Sequence, residues 1–410
     1  MPSPYAFEEK PDWRWWVTSK PLEGKPIHRW QVFPHSFTDD LVEALIKEWR
    51  LGAGDRILDP FVGAGTTLLA AKAQGVPATG YDLSPFAVLA ARVKTAAYHP
   101  NKLHQAWHVL RSSLEPSAWN GAAGQYAPLV KRALPGRLLG AFEKIRRNIA
   151  SLPFSEKERD FFRLALLAVI PRYSRAEANG GWLRWTLRRL NIRSLPAALE
   201  RQIEMMLTDL ETSLSQPVDH WTARVADARR LPDPDSTYTA VITSPPYPNR
   251  HDYTRVFGVQ LMFEFLDWNA ARRLRYQSFH SHVEARPDRP AAGEYQPPDH
   301  LAWIMERIRK ANGRVRLARM IEGYFLDMYI CLKEMRRVCR PGGRLALVVG
   351  NAQYNGLPIP VDEFTAELGE RVGLDCRKLI VARHRGNSAQ QMGRYGRNPS
   401  RESVVIFVRP

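Results

Sequence analysis

Cysteine is scarce: the 410-residue chain has three, Cys331, Cys339 and Cys376. None belongs to a Cys-x-x-Cys pair or stands at a histidine spacing suited to zinc, which excludes a disulfide framework and a structural zinc site; no metal is expected. Long apolar runs are missing too. The longest, Leu164 to Ile170, falls far short of the roughly 18 residues that cross a bilayer. The opening MPSPYAFEEKPDWRWW has no apolar core of the kind that marks a secretory signal. These absences lead to the expectation of a soluble, cytoplasmic chain with no membrane partner. Acidic residues are in deficit, 42 against 59 basic ones, for a net charge of +17. Such a surplus favours a polyanionic partner, because each basic side chain placed on a phosphate releases condensed counterions. A solvated basic surface would account for it equally well.

What is present is an alternation of strand and helix signals with one long interruption. Residues 1–37, rich in proline and tryptophan, read as an arm packed on a globular body. Residues 38–95 open with a capped amphipathic helix through Trp49 and continue as strand, glycine turn, helix and strand. Over 96–216 helical patterns dominate, which predicts a helical insertion and a candidate target-recognition region. Residues 217–410 resume the alternation, with a loop insertion at about 270–320; its polar stretch Phe279 to His300 reads as a mobile lid.

Two motifs carry chemistry. In RILDPFVGAGTTLLAAKAQG an acid, Asp59, ends a buried strand and a Gly-x-Gly turn leads into a helix. Gly63 and Gly65 let backbone approach a ligand, and the helix start at Thr66 and Thr67 can meet an anionic group. The turn is neither a Gly-x-Gly-x-x-Gly fingerprint nor a P-loop. Asp82 ends the next strand, where a carboxylate can hold both hydroxyls of a ribose. In the second motif, VITSPPYPNRHDY, an apolar strand runs into Ser244-Pro245-Pro246-Tyr247. Proline nitrogens cannot donate, so the carbonyls of Ser244 and Pro245 suit an external N–H, and Tyr247 offers a flat ring beside them. Either motif alone is also met in purely structural turns.

Together, DPFVGAGTT and SPPY resemble the amino-group (N4-cytosine/N6-adenine) DNA methyltransferases, with the cofactor motif preceding the catalytic one. GYDLSPFA, VADARRLP and HRWQVFPHSF extend the likeness. The resemblance implies an α/β, Rossmann-like fold of S-adenosylmethionine-dependent methyltransferases. Its core would be a seven-stranded, mostly parallel sheet with helices on both faces. It implies that Asp59, Pro60, Phe61, Gly63, Gly65, Thr66 and Thr67 hold the methionine end of S-adenosyl-L-methionine. Asp82 would take the ribose and Asp227 the adenine, while Phe33 and Pro34 close the pocket. The catalytic residues would be Ser244, Pro245, Pro246 and Tyr247, acting on a base flipped out of double-stranded DNA. The chain has no Pro-Cys motif, which argues against carbon-5 chemistry.

Within the family SPPY is associated with cytosine N4. The alternatives are adenine N6, an RNA base on the same fold, or a non-catalytic cofactor- or DNA-binding module. A cognate restriction endonuclease or defence-system component is a candidate partner. For DNA contact the candidates are Arg172, Arg175, Arg184 and Arg188 in the insertion, with Arg383 and Arg394 near the end. A solvated basic face is the competing reading of the insertion arginines.

Overall fold

The computed structural model describes residues 3–114, 124–188, 190–212, 220–249, 251–290, 293, 295–310, 315–354, 356–386 and 399–410. After a short strand β1 (Phe7–Glu9) and three single-turn helices come α1 (Asp39–Trp49), β2 (Ile57–Asp59), α2 (Thr66–Ala73), β3 (Ala78–Asp82) and α3 (Pro85–Thr95). Then follow α4 (Pro100–Ser112), α5 (Pro128–Ala133), α6 (Arg137–Ala150), α7 (Glu156–Tyr173), the hairpin β4 (Ala176–Asn179) and β5 (Trp182–Trp185), and α8 (Leu195–Thr212). The alternation resumes with β6 (Trp221–Val225), β7 (Tyr238–Thr243), α9 (Tyr253–Val256), α10 (Gly258–Glu264), α11 (Trp268–Gln277), α12 (Asp299–Lys310) and α13 (Val315–Val338). The last elements are β8 (Cys339–Gly350), β9 (Ala352–Tyr354), β10 (Leu357–Ile359), α14 (Val361–Arg371), β11 (Asp375–Arg385) and β12 (Ser400–Val408).

The main sheet has the order β1-β11-β12-β8-β7-β2-β3-β6. From β6 through β3, β2 and β7 to β8 every pair is parallel, whereas β12 runs antiparallel to both its neighbours. β2 and β7 are buried along their whole length, because helices cover both faces of a parallel sheet. Connections leave β2 towards β3 on one side and β7 towards β8 on the other. The crevice between the carboxyl ends of β2 and β7 is therefore a topological switch point, where open α/β sheets take ligands. The expected seven-stranded core is there, and β1 adds an eighth strand by pairing in parallel with β11. Three residues of an arm cannot announce an edge strand locally, since the pairing partner lies more than 370 positions away.

Between 270 and 320 the expected loop is largely helical: α11 reaches Gln277, α12 fills Asp299–Lys310 and α13 begins at Val315. α12 buries Leu301, Ile304, Met305 and Ile308 at helical spacing, a stripe that the surrounding polar residues obscure. Within 96–216, α4 to α8 and the β4–β5 hairpin share one continuous buried cluster with Phe33, Ala64, Phe86 and Phe257. The arm is pinned from two sides. Asp209 of α8 accepts from the Ile27 amide, the Arg29 guanidinium and the Trp30 indole. The buried Lys94 ammonium donates to the carbonyls of His28 and Gln31. No described helix is long and apolar enough to cross a membrane.

Candidate active site

A concave cavity lies over the carboxyl ends of β2, β3 and β7. Asp59, Pro60, Phe61, Gly63, Thr66, Asp82, Asp227, Phe33 and Pro34 line it together with Ser244 and Pro246. Segments separated by some two hundred positions thus meet at one opening. Gly65 and Thr67, expected beside a ligand, do not line it. A Cβ on Gly65 would stand 2.8 Å from the Ala91 Cα, and its φ is +85°. Gly65 is required by the packing of α2 on α3. The Thr67 hydroxyl, fully buried, donates to the Ile242 carbonyl of β7 and ties helix to sheet.

Asp59 is almost wholly buried, and its Oδ1 accepts from the Thr243 hydroxyl at 2.6 Å and the Phe61 amide at 3.1 Å. Asp82 takes the Gly63 amide at 3.1 Å and the Ser84 amide at 2.8 Å. Burial pushes both carboxyls up to about 6, against the hydrogen bonds that hold them down. Gly80 lets this happen: a Cβ there would meet Val62 at 2.4 Å, so the 60–65 turn could not fold back over β3. Asp227 is half-buried, and both its oxygens accept from the Arg229 guanidinium at 2.7 to 3.2 Å.

At the other end, Ser244 donates its hydroxyl hydrogen to the Val348 carbonyl of β8 at 3.0 Å. Its oxygen therefore presents lone pairs to the cavity. Pro245 and Tyr247 do not line the opening, and Tyr247 is only 4% exposed. The tyrosine ring lies against Gly350, where a Cβ would approach it to 2.7 Å. His35 stands 5.8 Å from that ring, centroid to centroid, and 4.9 Å from His251. Burial lowers both imidazoles, His251 to about 4, and His251 Nε2 is buried without a hydrogen-bond partner among the described residues. Asp252 is scaffolding: it caps α9 through the Arg255 amide and pairs with Arg275 at 3.0 Å.

Several lining residues were not singled out from the sequence, namely His35, Tyr253, Phe257, Ser278, Phe279, Ser281 and His282. Phe257 stacks on Phe33 at 4.2 Å, so the arm rests on the helices that follow the SPPY turn. Of the stretch Phe279 to His300, read as a mobile lid, residues 279–290 form a strap. Buried Asp327 of α13 holds it through the His280 amide at 2.9 Å and Arg289 at 2.7 Å, and reaches Arg229 at 3.3 Å. Against the burial that would raise it, the His280 hydrogen bond and the Arg229 and Arg289 guanidiniums hold the Asp327 carboxyl below the usual range. Only the alternation of apolar and charged residues around His280 could have hinted at this.

The expected DNA contacts are dispersed. Arg184 and Arg188 pair with Glu177, and Arg188 also donates to the carbonyls of Pro171 and Ser174. Arg383 pairs with buried Glu402 inside the sheet. Arg172 and Arg175 are exposed at the end of α7, and Arg394 lies outside the described residues.

The sequence profile of a DNA methylase family matches residues 5–92. The chain is 28% identical to the Type II methyltransferase M.BsoBI of Geobacillus stearothermophilus, across 96% of this chain and 88% of that protein. It is 27% identical to the Type II methyltransferase M.AvaI of Nostoc sp., across 96% and 89%. A TehB-like SAM-dependent methyltransferase from Corynebacterium glutamicum overlays 90% of this chain and 88% of its own at 10% identity. Its TM-score is 0.29, a fit too loose to add to the sheet order described above.

Proposed function

We propose, from the premise that the chain belongs to the amino-group DNA methyltransferase family, that it methylates the exocyclic N4 of cytosine in DNA at a specific site. The cofactor is S-adenosylmethionine, which when bound supplies an electrophilic methyl group. The cavity suits that molecule. Buried Asp59 and part-buried Asp82 face it, at strand ends where a ribose and an ammonium find partners, and Phe33, Phe61 and Phe257 give it apolar walls. Asp82 would hold the ribose hydroxyls, Asp59 and the 60–66 turn the methionine end, and Asp227 the adenine edge, steadied by Arg229.

The observation that carries the reading is the meeting of Ser244 and Pro246 with Asp59 and Asp82 in one cavity. The Ser244 oxygen and the Pro245 carbonyl accept from the target amino group and draw its lone pair out of conjugation with the ring. Tyr247, which packs on Gly350 and does not line the opening, would have to be uncovered for the extruded base to stack on it, and positioning of the two reactants supplies much of the acceleration. Ser244 gives its own hydrogen to Val348, so it acts as an acceptor. Adenine N6, the second reading, would be served by the same polarity, and the choice of cytosine rests on the SPPY sequence.

Labelled S-adenosylmethionine, purified protein and separate DNA and RNA substrates, followed by digestion to nucleosides and mass analysis, test this directly. N4-methylcytosine from DNA is the expected product. N6-methyladenine would replace the cytosine assignment, transfer to RNA alone would overturn the DNA substrate, and no transfer would sink the whole reading.

A further inference from the structure

A second cavity adjoins the first across the strap. Ser278, Phe279 and Ser281 face the candidate active site, whereas Tyr276, His280 and Val283 of the same segment face the neighbour. The second cavity is bounded by α11, the strap and the first turns of α13. Its character differs from that of the first. Arg272, Arg286, Arg316 and Arg319 line it, all exposed, and among the described residues none of the four pairs with a carboxylate. Two further arginines, Arg255 and Arg275, are engaged by Asp252 and Glu284 and serve as framework. Arg272 and Arg286 both stand about 6 Å from the Tyr276 ring centroid. Trp268 and Tyr276 are 48% and 38% exposed.

Four unpaired guanidiniums converging on one concavity repel one another. In the free protein small ions screen such a cluster, and an anion that carries several charges displaces them. Guanidinium forks match phosphate oxygens bidentately, and exposed aromatic faces beside them suit sugars and bases. We infer that this arginine-lined groove holds the phosphate backbone of the substrate DNA next to the target nucleotide. The inference rests on the DNA reading above and places the contact at the strap instead of at Arg184 and Arg188, which share the Glu177 carboxylate. It also gives the strap a purpose: one side meets the cofactor cavity, the other the strand from which the base is drawn.

The test uses the full chain and a fluorescein-labelled duplex of random sequence, since phosphate contact needs no recognition site. The triple variant R272A/R316A/R319A is compared with the wild type by anisotropy across a salt series. The apparent Kd should rise about tenfold or more at fixed salt, and the slope of log affinity against log salt should flatten by about 2 to 3, close to 0.9 per lost phosphate contact. Cofactor affinity should be unchanged, which also reports an intact fold. R316K/R319K should keep the slope, and R184A/R188A should leave it unaltered. An unchanged slope in the triple variant, with a steep one in the wild type, overturns the groove while leaving the DNA reading standing. A wild type that neither binds nor methylates DNA overturns both. Flattening in R184A/R188A of the same size as in the triple variant would return the contact to the insertion.

Discussion

The two ends of the central cavity are built by different means. The proposed cofactor end comes mostly from one stretch, 57–84, in which strand, turn, helix and strand bring Asp59 and Asp82 together through near neighbours, with Asp227, Phe33 and Phe257 added from elsewhere in the chain. The target end is assembled from four distant segments: the arm around Phe33 to Phe37, the SPPY turn, the strap, and the end of β8. A locally built end holds its geometry whenever its βαβ unit folds. An end built across the fold depends on the packing of every segment that reaches it. Binding of cofactor and transfer of its methyl group should therefore be separable by mutation.

The largest separation is expected at Tyr247. Tyr247→Ala should lower methyl transfer about 100-fold, the scale of a lost base–aromatic stack, with cofactor Kd within about twofold; Tyr247→Phe should keep most activity. Equal loss of cofactor binding, read by calorimetry, would break the comparison. Asp82→Ala is the converse. It removes a charged acceptor and should weaken cofactor binding about 10- to 100-fold, while turnover at saturating cofactor changes much less. Gly350→Ala tests the reach of tertiary packing, because the new Cβ enters the Tyr247 ring. We expect destabilisation of about 1–3 kcal/mol by denaturant titration, and a loss of transfer that cofactor binding does not share.

The smallest effect is the most diagnostic of burial. Asp59 and Asp82 bind protons more tightly in the folded protein than the ordinary value of 3.8 allows, with both near 6. As pH falls through about 6 towards 3.8, these two groups favour the ligand-free folded state. Over the same interval the ionised carboxylates that face the cofactor are lost. Cofactor affinity should thus be flat above pH 7 and fall by about tenfold per pH unit below 6 for each carboxylate that must be charged. An affinity independent of pH down to 5 would mean that neither carboxylate needs its charge to bind.

The same contrast governs what could be read from the chain. Asp59, Gly63 and Asp82 were legible because each stands at a strand end or turn that its immediate neighbours define. Ser244 was legible because two prolines fix the backbone after an apolar strand. The reason for Gly65 was not, since the atom it must avoid belongs to Ala91 on another helix. The strap read as a mobile lid because its anchor, Asp327, lies on α13, and its own sequence shows few apolar residues. Arg184 and Arg188 looked free because Glu177, the one carboxylate they share, meets them only when the hairpin forms.

By itself, then, the sequence determined the alternating α/β pattern, the cofactor turn and the SPPY turn, all set by hydrogen bonds and steric limits within a few residues. Only the tertiary structure decided which arginines stay unpaired, which glycine yields to a neighbouring helix, and that the tyrosine of the SPPY turn rests on Gly350. Those outcomes depend on ion pairs and van der Waals contacts between segments far apart in the chain, and no local pattern encodes them.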